Sequence, residues 1–114
     1  MGSGAINAGR ATAVEADTES IRRNIVKALK TVYDPEIPVN VYDLGLIYDI
    51  AVRPDGVANI KMTLTAPGCP AADYLQTDVR AAAQSVNDVR AATVELVWNP
   101  PWSPAMISED GKKL

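Results

Sequence analysis

From Leu46 to Leu64 the chain runs twice through an alternation of period two, and an antiparallel hairpin is the natural fold for that pattern. Leu46, Tyr48, Ile50 and Val52 alternate with Ile47, Asp49, Ala51 and Arg53, and Ala58, Ile60, Met62 and Leu64 then alternate with Asn59, Lys61 and Thr63. Side chains along a strand point to opposite faces in turn, so each run has one face to bury and one to leave in water. Between the runs lies Pro54-Asp55-Gly56, a turn signal short enough to fold the second run back on the first, with Gly56 free to take a positive φ.

The flanking segments change period. Ile21, Ile25, Ala28, Leu29 and Val32 recur at helical spacing, with Thr18 placed to cap, Glu19 in the first turn and Asp34-Pro35 as the stop. After the hairpin, Leu75, Val79, Ala82 and Val86 step by four, three and four, while Asp73, Gln76, Arg80 and Gln84 lie on the other face, which predicts a second amphipathic helix. Ala92, Val94, Leu96 and Trp98 predict a third strand with Trp98 on its core face, ended by Asn99-Pro100-Pro101. Ser103-Pro104 and Ser108-Glu109-Asp110 read as starts of short helical turns.

The order α-β-β-α-β-α predicts an α/β (α+β) domain: a small three-stranded mixed sheet with an antiparallel hairpin, covered by two main helices and short C-terminal helical turns. A parallel pairing of the second and third strands would make their connection a right-handed crossover. Residues 1–17, rich in Gly, Ala, Ser and Thr without apolar periodicity, read as a mobile leader or expression remnant, and 18–114 as a single domain.

Composition narrows the function. A net charge of -3 and a pI near 4.8 leave no basic stripe for phosphates, so no nucleic-acid partner is expected. No apolar run approaches the roughly 20 residues that span a bilayer, so no membrane partner is expected either. A single cysteine excludes an intrachain disulfide, and the N-terminus has no apolar signal region, which points to the reducing cytoplasm. The absence of histidine removes the commonest general base and the commonest metal ligand together. A Cys-His enzyme and a closed four-ligand zinc site are thereby excluded, and no phosphate-binding glycine motif suggests a nucleotide. The chain is expected not to be an enzyme.

Cys69 is the residue on which chemistry would centre. It stands in Thr65-Ala66-Pro67-Gly68-Cys69-Pro70, ahead of the second helix, as its natural N-cap with Pro70 at the first helical position. Unpaired N–H groups and the helix dipole there favour a thiolate, the form that binds metal or attacks an electrophile. The alternative for a free cysteine is a small buried hydrophobe. Gly68 allows close approach of a ligand or partner, and Thr63 and Thr65 at the strand end suit the same space.

Asp34 and Glu36, fixed by the intervening Pro35, suit three roles: binding a cation, accepting hydrogen bonds from the Cys69 loop, or capping the preceding helix and the turn. Asp43, before Leu44-Gly45, suits a turn role or a partner contact. Trp102, beyond the Pro-Pro pair, suits a partly exposed position near the Cys69 loop or at an interface.

Three stretches, DPEIPVNVYDLGLIYDI, MTLTAPGCP and WNPPWSPAMISEDGKKL, resemble in order and spacing the small iron–sulfur assembly domain. That domain is shared by SufT-type proteins, the phenylacetate-pathway protein PaaD and eukaryotic cytosolic cluster-targeting factors. The match runs from about Ile21 to Leu114. The resemblance implies an α/β fold and a role in maturing or delivering iron–sulfur clusters, with the reactive cysteine at Cys69, the acidic pair at Asp34 and Glu36, and the threonine-bearing strand end at Thr63 and Thr65. PaaD-like members usually extend into a cysteine-rich tail, so this ending favours the SufT-like reading, and Lys112-Lys113-Leu114 leaves room for a few further residues.

The implied cargo is an iron–sulfur cluster, transient or shared, because Cys69 supplies one ligand and a partner must supply the others. The implied partners are iron–sulfur carrier, scaffold or client proteins, with a homodimer as a further way to bring two thiolates together. The competing reading is a protein-interaction adaptor, a PaaD-like oxygenase maturation partner in which Cys69 is structural. A thiol enzyme lacks both a base and a resolving cysteine.

Overall fold

The computed structural model describes residues 18–35, 37–65 and 72–113. Helix α1 spans residues 18–29, strand β1 Ile47–Val52, β2 Val57–Met62, helix α2 Ala72–Gln84 and β3 Ala91–Leu96. A 3-10 turn, Pro104–Met106, and a short helix α3, Glu109–Lys112, follow. The sheet order is β1-β2-β3, with β1 antiparallel and β3 parallel to β2. This is the mixed sheet and the α-β-β-α-β-α order that the periodicity predicts.

Gly56 has φ +89°, as the hairpin turn requires, and its N–H donates to Arg53 O while Arg53 N–H donates to Val57 O. Asp55 Oδ1 accepts from Val57 N–H at 3.1 Å and so stiffens the turn. A second constraint falls on the same residue. Gly56 O accepts from Arg90 N–H at 2.8 Å, and a Cβ at Gly56 would stand 2.7 Å from Asp88 O. The hairpin turn and the entrance to β3 are therefore packed backbone to backbone.

One face of the sheet is apolar. Ile50, Ala58, Ile60, Met62 and Ala92 are buried in one cluster with Ile21, Ile25 and Leu29 of α1 and Leu75, Val79 and Ala83 of α2. Each fully buried Leu or Ile contributes roughly 2 kcal/mol, more than a typical net hydrogen bond, so this stripe holds the helices in place. The buried line of α2, Leu75, Val79 and Ala83, steps by four throughout; Ala82 is only partly covered, and Val86, also partly covered, lies beyond the helix end at Gln84. Asp49, Ala51, Asn59, Lys61, Thr93 and Glu95 line the other face, which is exposed. Among the described residues no helix is long and apolar enough to cross a membrane.

Two expectations change. Helix α1 ends at Leu29, not at Asp34-Pro35, because Thr31 draws the chain into a tighter turn: its N–H and its hydroxyl both donate to Ala28 O. Val32 is buried outside the helix, and Tyr33 pairs with Asn40 in an isolated antiparallel bridge. The strand β3 stops at Leu96, so Trp98 leaves the core face on which alternation placed it and is 45% exposed. The chain is drawn off the sheet at this point, where Tyr48 Oη donates to Pro100 O at 2.7 Å.

Gly56→Ala is expected to cost roughly 1–3 kcal/mol, since it combines a left-handed backbone with a contact that cannot relax. The check is a fall in the urea midpoint at unchanged m-value.

Candidate functional site

The three stretches singled out in the sequence converge because of strand direction. Ile47, at the start of β1, pairs with Met62 at the end of β2, which pairs with Leu96 at the end of β3. The loop entering β1, the segment leaving β2 toward Cys69 and the segment leaving β3 toward Trp102 therefore all meet at one end of the sheet. The ends of parallel strands are where α/β folds place ligands.

The entering loop is fixed at both ends. Asp34 is 7% exposed, its Oδ1 accepts from Ile37 N–H at 3.0 Å, and its own N–H donates to Val39 O. This is a carboxylate closing a turn on itself, the capping role among those its sequence position suits. Further on, Asp43 N–H donates to Asn40 Oδ1 and Asn40 Nδ2 donates to Asp43 Oδ2, both at 2.8 Å. The reciprocal pair replaces water for two buried residues three positions apart.

The C-terminal segment locks onto this loop. Ser108 Oγ donates to Asp43 Oδ1 at 2.8 Å and accepts from Gly111 N–H, capping α3, while Ser108 N–H donates to Asp43 O at 2.7 Å. Trp102 is half-buried, and its indole N–H donates to Leu44 O at 2.7 Å. Gly45, at φ +85°, lies so close to the segment that a Cβ there would be 2.5 Å from Met106 O. Asp43 is 8% exposed and both its carboxylate oxygens are engaged within the chain.

At the exit of β2, Thr63 N–H donates to Leu46 O at 2.8 Å and so joins the strand end to the same loop. The Thr63 side chain is 0% exposed, and its Oγ1 has no hydrogen-bond partner. Leaving a buried hydroxyl unpaired costs roughly 1–3 kcal/mol, so the position carries an unbalanced polar group at the edge of the core. Thr65 is half-buried and is the last described residue before position 72.

Thr63, Asp43 and Trp102 are thus linked through Leu46, Leu44 and Ser108, and Asp34 holds the far side of the same loop. Cys69, Gly68 and Glu36 lie outside the described residues, as does Pro70. Among the described residues no group of three or more Cys, Asp or Glu side chains is placed to hold a metal ion. What the described part supplies is a hydrogen-bonded junction between the loop entering β1, the end of β2 and the C-terminal segment. Sequence reasoning missed Asn40, Gly45 and Tyr48. Only the Asn40-x-x-Asp43 spacing, which resembles a capping pair, offered a local signal for the first of them.

Comparison with known proteins adds a separate line of observation. The family model described as "Iron-sulfur cluster assembly protein" matches residues 22–96. An Fe-S protein maturation auxiliary factor of Porphyromonas gingivalis is 54% identical over 87 residues, covering 76% of this chain and 83% of that protein. The Fe-S protein maturation auxiliary factor YitW of Bacillus subtilis is 40% identical over 94 residues, covering 82% and 92% respectively. A crystal structure of a domain of unknown function from Bacillus anthracis superposes with a TM-score of 0.81 at 35% identity, covering 87% of this chain and 94% of that one.

The Asp43 carboxyl is held below its ordinary 3.8, first by the hydrogen bond from Asn40. Burial opposes the shift, and the bond from Ser108 and the charge of Lys30 add to it. A carboxylate whose folded pKa is depressed contributes stability that is complete above the unfolded value and is lost as pH falls through the folded one. Urea titrations from neutral pH downward are expected to show stability falling below about pH 4. Asp43→Asn is expected to be less stable at neutral pH by roughly 1–3 kcal/mol and to show a shallower acid decline. An acid decline identical in the two proteins would place the sensitivity elsewhere.

Proposed function

Since the chain belongs to the iron–sulfur cluster assembly protein family, we propose that it serves in the maturation of iron–sulfur proteins, passing clusters to clients through the Cys69 thiolate. The observation that carries this reading is the match of the family model across residues 22–96, together with 54% identity to a maturation auxiliary factor. The convergence of loop, strand end and C-terminal segment at one end of the sheet supports it, because Thr63, from which the chain runs on toward Cys69 in sequence, is anchored there.

In this role the cluster is cargo. With one cysteine and no histidine, the chain offers one soft ligand, and a carrier, scaffold or client completes the set. Transfer is ligand exchange without net redox change: an iron–thiolate bond to Cys69 forms as a donor's ligand leaves, and breaks as a client's ligand arrives. A glycine at position 68 is a residue type that suits close backbone approach by a partner. Asp34 and Thr65 stand in the loop and at the strand exit that meet at this sheet end, Glu36 is a further carboxylate that the resemblance implies for the site, and the segment bearing Trp102 serves as a contact surface for partners.

In a strain lacking the protein, Cys69→Ala is expected to lower the activity of an iron–sulfur client enzyme about tenfold or more relative to wild type at equal protein abundance. Full maturation by Cys69→Ala would sink the thiolate reading and favour the adaptor.

A further inference from the structure

Charge is unevenly divided over this molecule. Residues 18–30 carry Arg22, Arg23, Lys27 and Lys30 against Glu19 alone, whereas the other described residues carry six Lys or Arg against ten Asp or Glu. A chain of net charge -3 thus presents one positive helix.

The cations on that helix are aligned. Arg23, Lys27 and Lys30 stand at i, i+4 and i+7, which places them within an arc of about 60° on the side of α1 opposite the buried Ile21, Ile25 and Leu29. All three are exposed. Glu19, a turn earlier on the same side, lies 3.9 Å from Arg22 instead. Among the described residues Arg23 and Lys27 have no carboxylate within ion-pair distance, and Lys30 lies over the Tyr42 ring, 5.4 Å from its centroid. Like charges at i, i+4 repel, and within the described residues no ion pair offsets that for Arg23 and Lys27.

The stripe runs up to the loop that enters β1. Tyr33 follows Lys30 by three residues, is 55% exposed, and has its backbone held by the bridge to Asn40. Arginine and held aromatic side chains are enriched where proteins meet. The three cations span roughly 10 Å along the axis, the spacing of carboxylates on successive turns of another helix. A lipid surface or a long nucleic acid would extend past α1 and meet the acidic remainder of the molecule. A second copy does not supply the complement, since α2 carries Asp73 and Asp78 and α3 carries Glu109 and Asp110, neither pair at that spacing. We infer that the outer face of α1 is a docking surface for an acidic helix of a partner protein, held by Arg23, Lys27 and Lys30. The surface is separate from Cys69, so the reading of that residue can fail without it.

The test uses the full chain and a fluorescein-labelled helical peptide with glutamates at i, i+4 and i+7, followed by anisotropy near 0.15 M ionic strength, where charges are screened beyond about 8 Å. The comparison peptide has the same composition with its glutamates spread around the helix. The aligned peptide is expected to bind more tightly than the scrambled one. Arg23→Glu, Lys27→Glu and Lys30→Glu together are expected to weaken it about tenfold or more, as the loss of exposed pairs worth up to about fivefold each implies. The same charge change made elsewhere, as Arg80→Glu, Arg90→Glu and Lys113→Glu together, is expected to weaken it less than about threefold. Should the triple reversal fail to fold, Arg23→Gln with Lys27→Gln decides, with an expected loss of about threefold or more.

Equal binding of the aligned and scrambled peptides overturns the inference, as does an equal loss in the two reversed proteins. So does an aligned peptide that binds no variant, wild type included. Tighter binding to phosphatidylserine-containing vesicles or to a short DNA duplex than to the aligned peptide would assign the stripe to a lipid or nucleic-acid anion and would also overturn it.

Discussion

The row Ile47–Met62–Leu96 across the three strands determines where everything else in this molecule can go. β2 is paired on both sides, so its direction fixes β1 as an incoming strand and β3 as an outgoing one at the same sheet end. Three segments far apart in sequence are brought together without any one of them having to recognise the others. Backbone ladders do this cooperatively, because a slip of one residue would turn Ile50, Ile60 and Ala92 out of the core together. The apolar face thus supplies the register, and the register supplies the site.

On this frame the end of the sheet is tightened by polar contacts that would be weak on a surface and count for more where water is excluded. Asp43 is the joint. It takes Asn40 on one oxygen and Ser108 on the other, across 65 residues of chain, and its main chain binds Ser108 again. Trp102 adds an indole N–H to Leu44 O nearby, and Gly45 and Gly111 leave no room for a Cβ between the layers. The family model ends at residue 96, yet these contacts make the following segment part of the same end of the fold. Thr63 sits beside this satisfied network and stands out against it as the unsatisfied member.

How much of this was legible beforehand follows from the range of each interaction. Alternation and helical spacing report on one face of one element, and they were enough for the strands, the hairpin at Gly56 and the buried Ile21, Ile25 and Leu29 of α1, whereas in α2 they chose Ala82 where Ala83 is buried. Trp98 shows the limit. Its alternation with Leu96 continued past the point where the strand ends, and which of the two tryptophans would be used was decided by a carbonyl at Leu44, far away in sequence. Asp43 could be read as a turn residue from its neighbours, but its bond to Ser108 is a tertiary fact that no local pattern encodes. Helix α1 ended early for a local reason that propensity understates, a threonine whose hydroxyl and N–H both take the same helical carbonyl.

The scarcity of ligands is itself an argument about function. A closed site with four protein ligands holds its metal tightly and contributes folding energy, which suits a structural centre and opposes release. A chain with one thiol and no imidazole holds cargo only while another protein supplies the remaining ligands, so in the proposed role every bound state is also a state of contact with donor or recipient. What such a protein can control is geometry, through the placement of its one sulfur and of the donors around it. A sheet end braced by Asp43 and Trp102 is an economical way to fix the surface that meets such a partner. The binding energy for transfer then comes from the two proteins together, and separation of the pair releases the cluster to whichever partner holds more of its ligands.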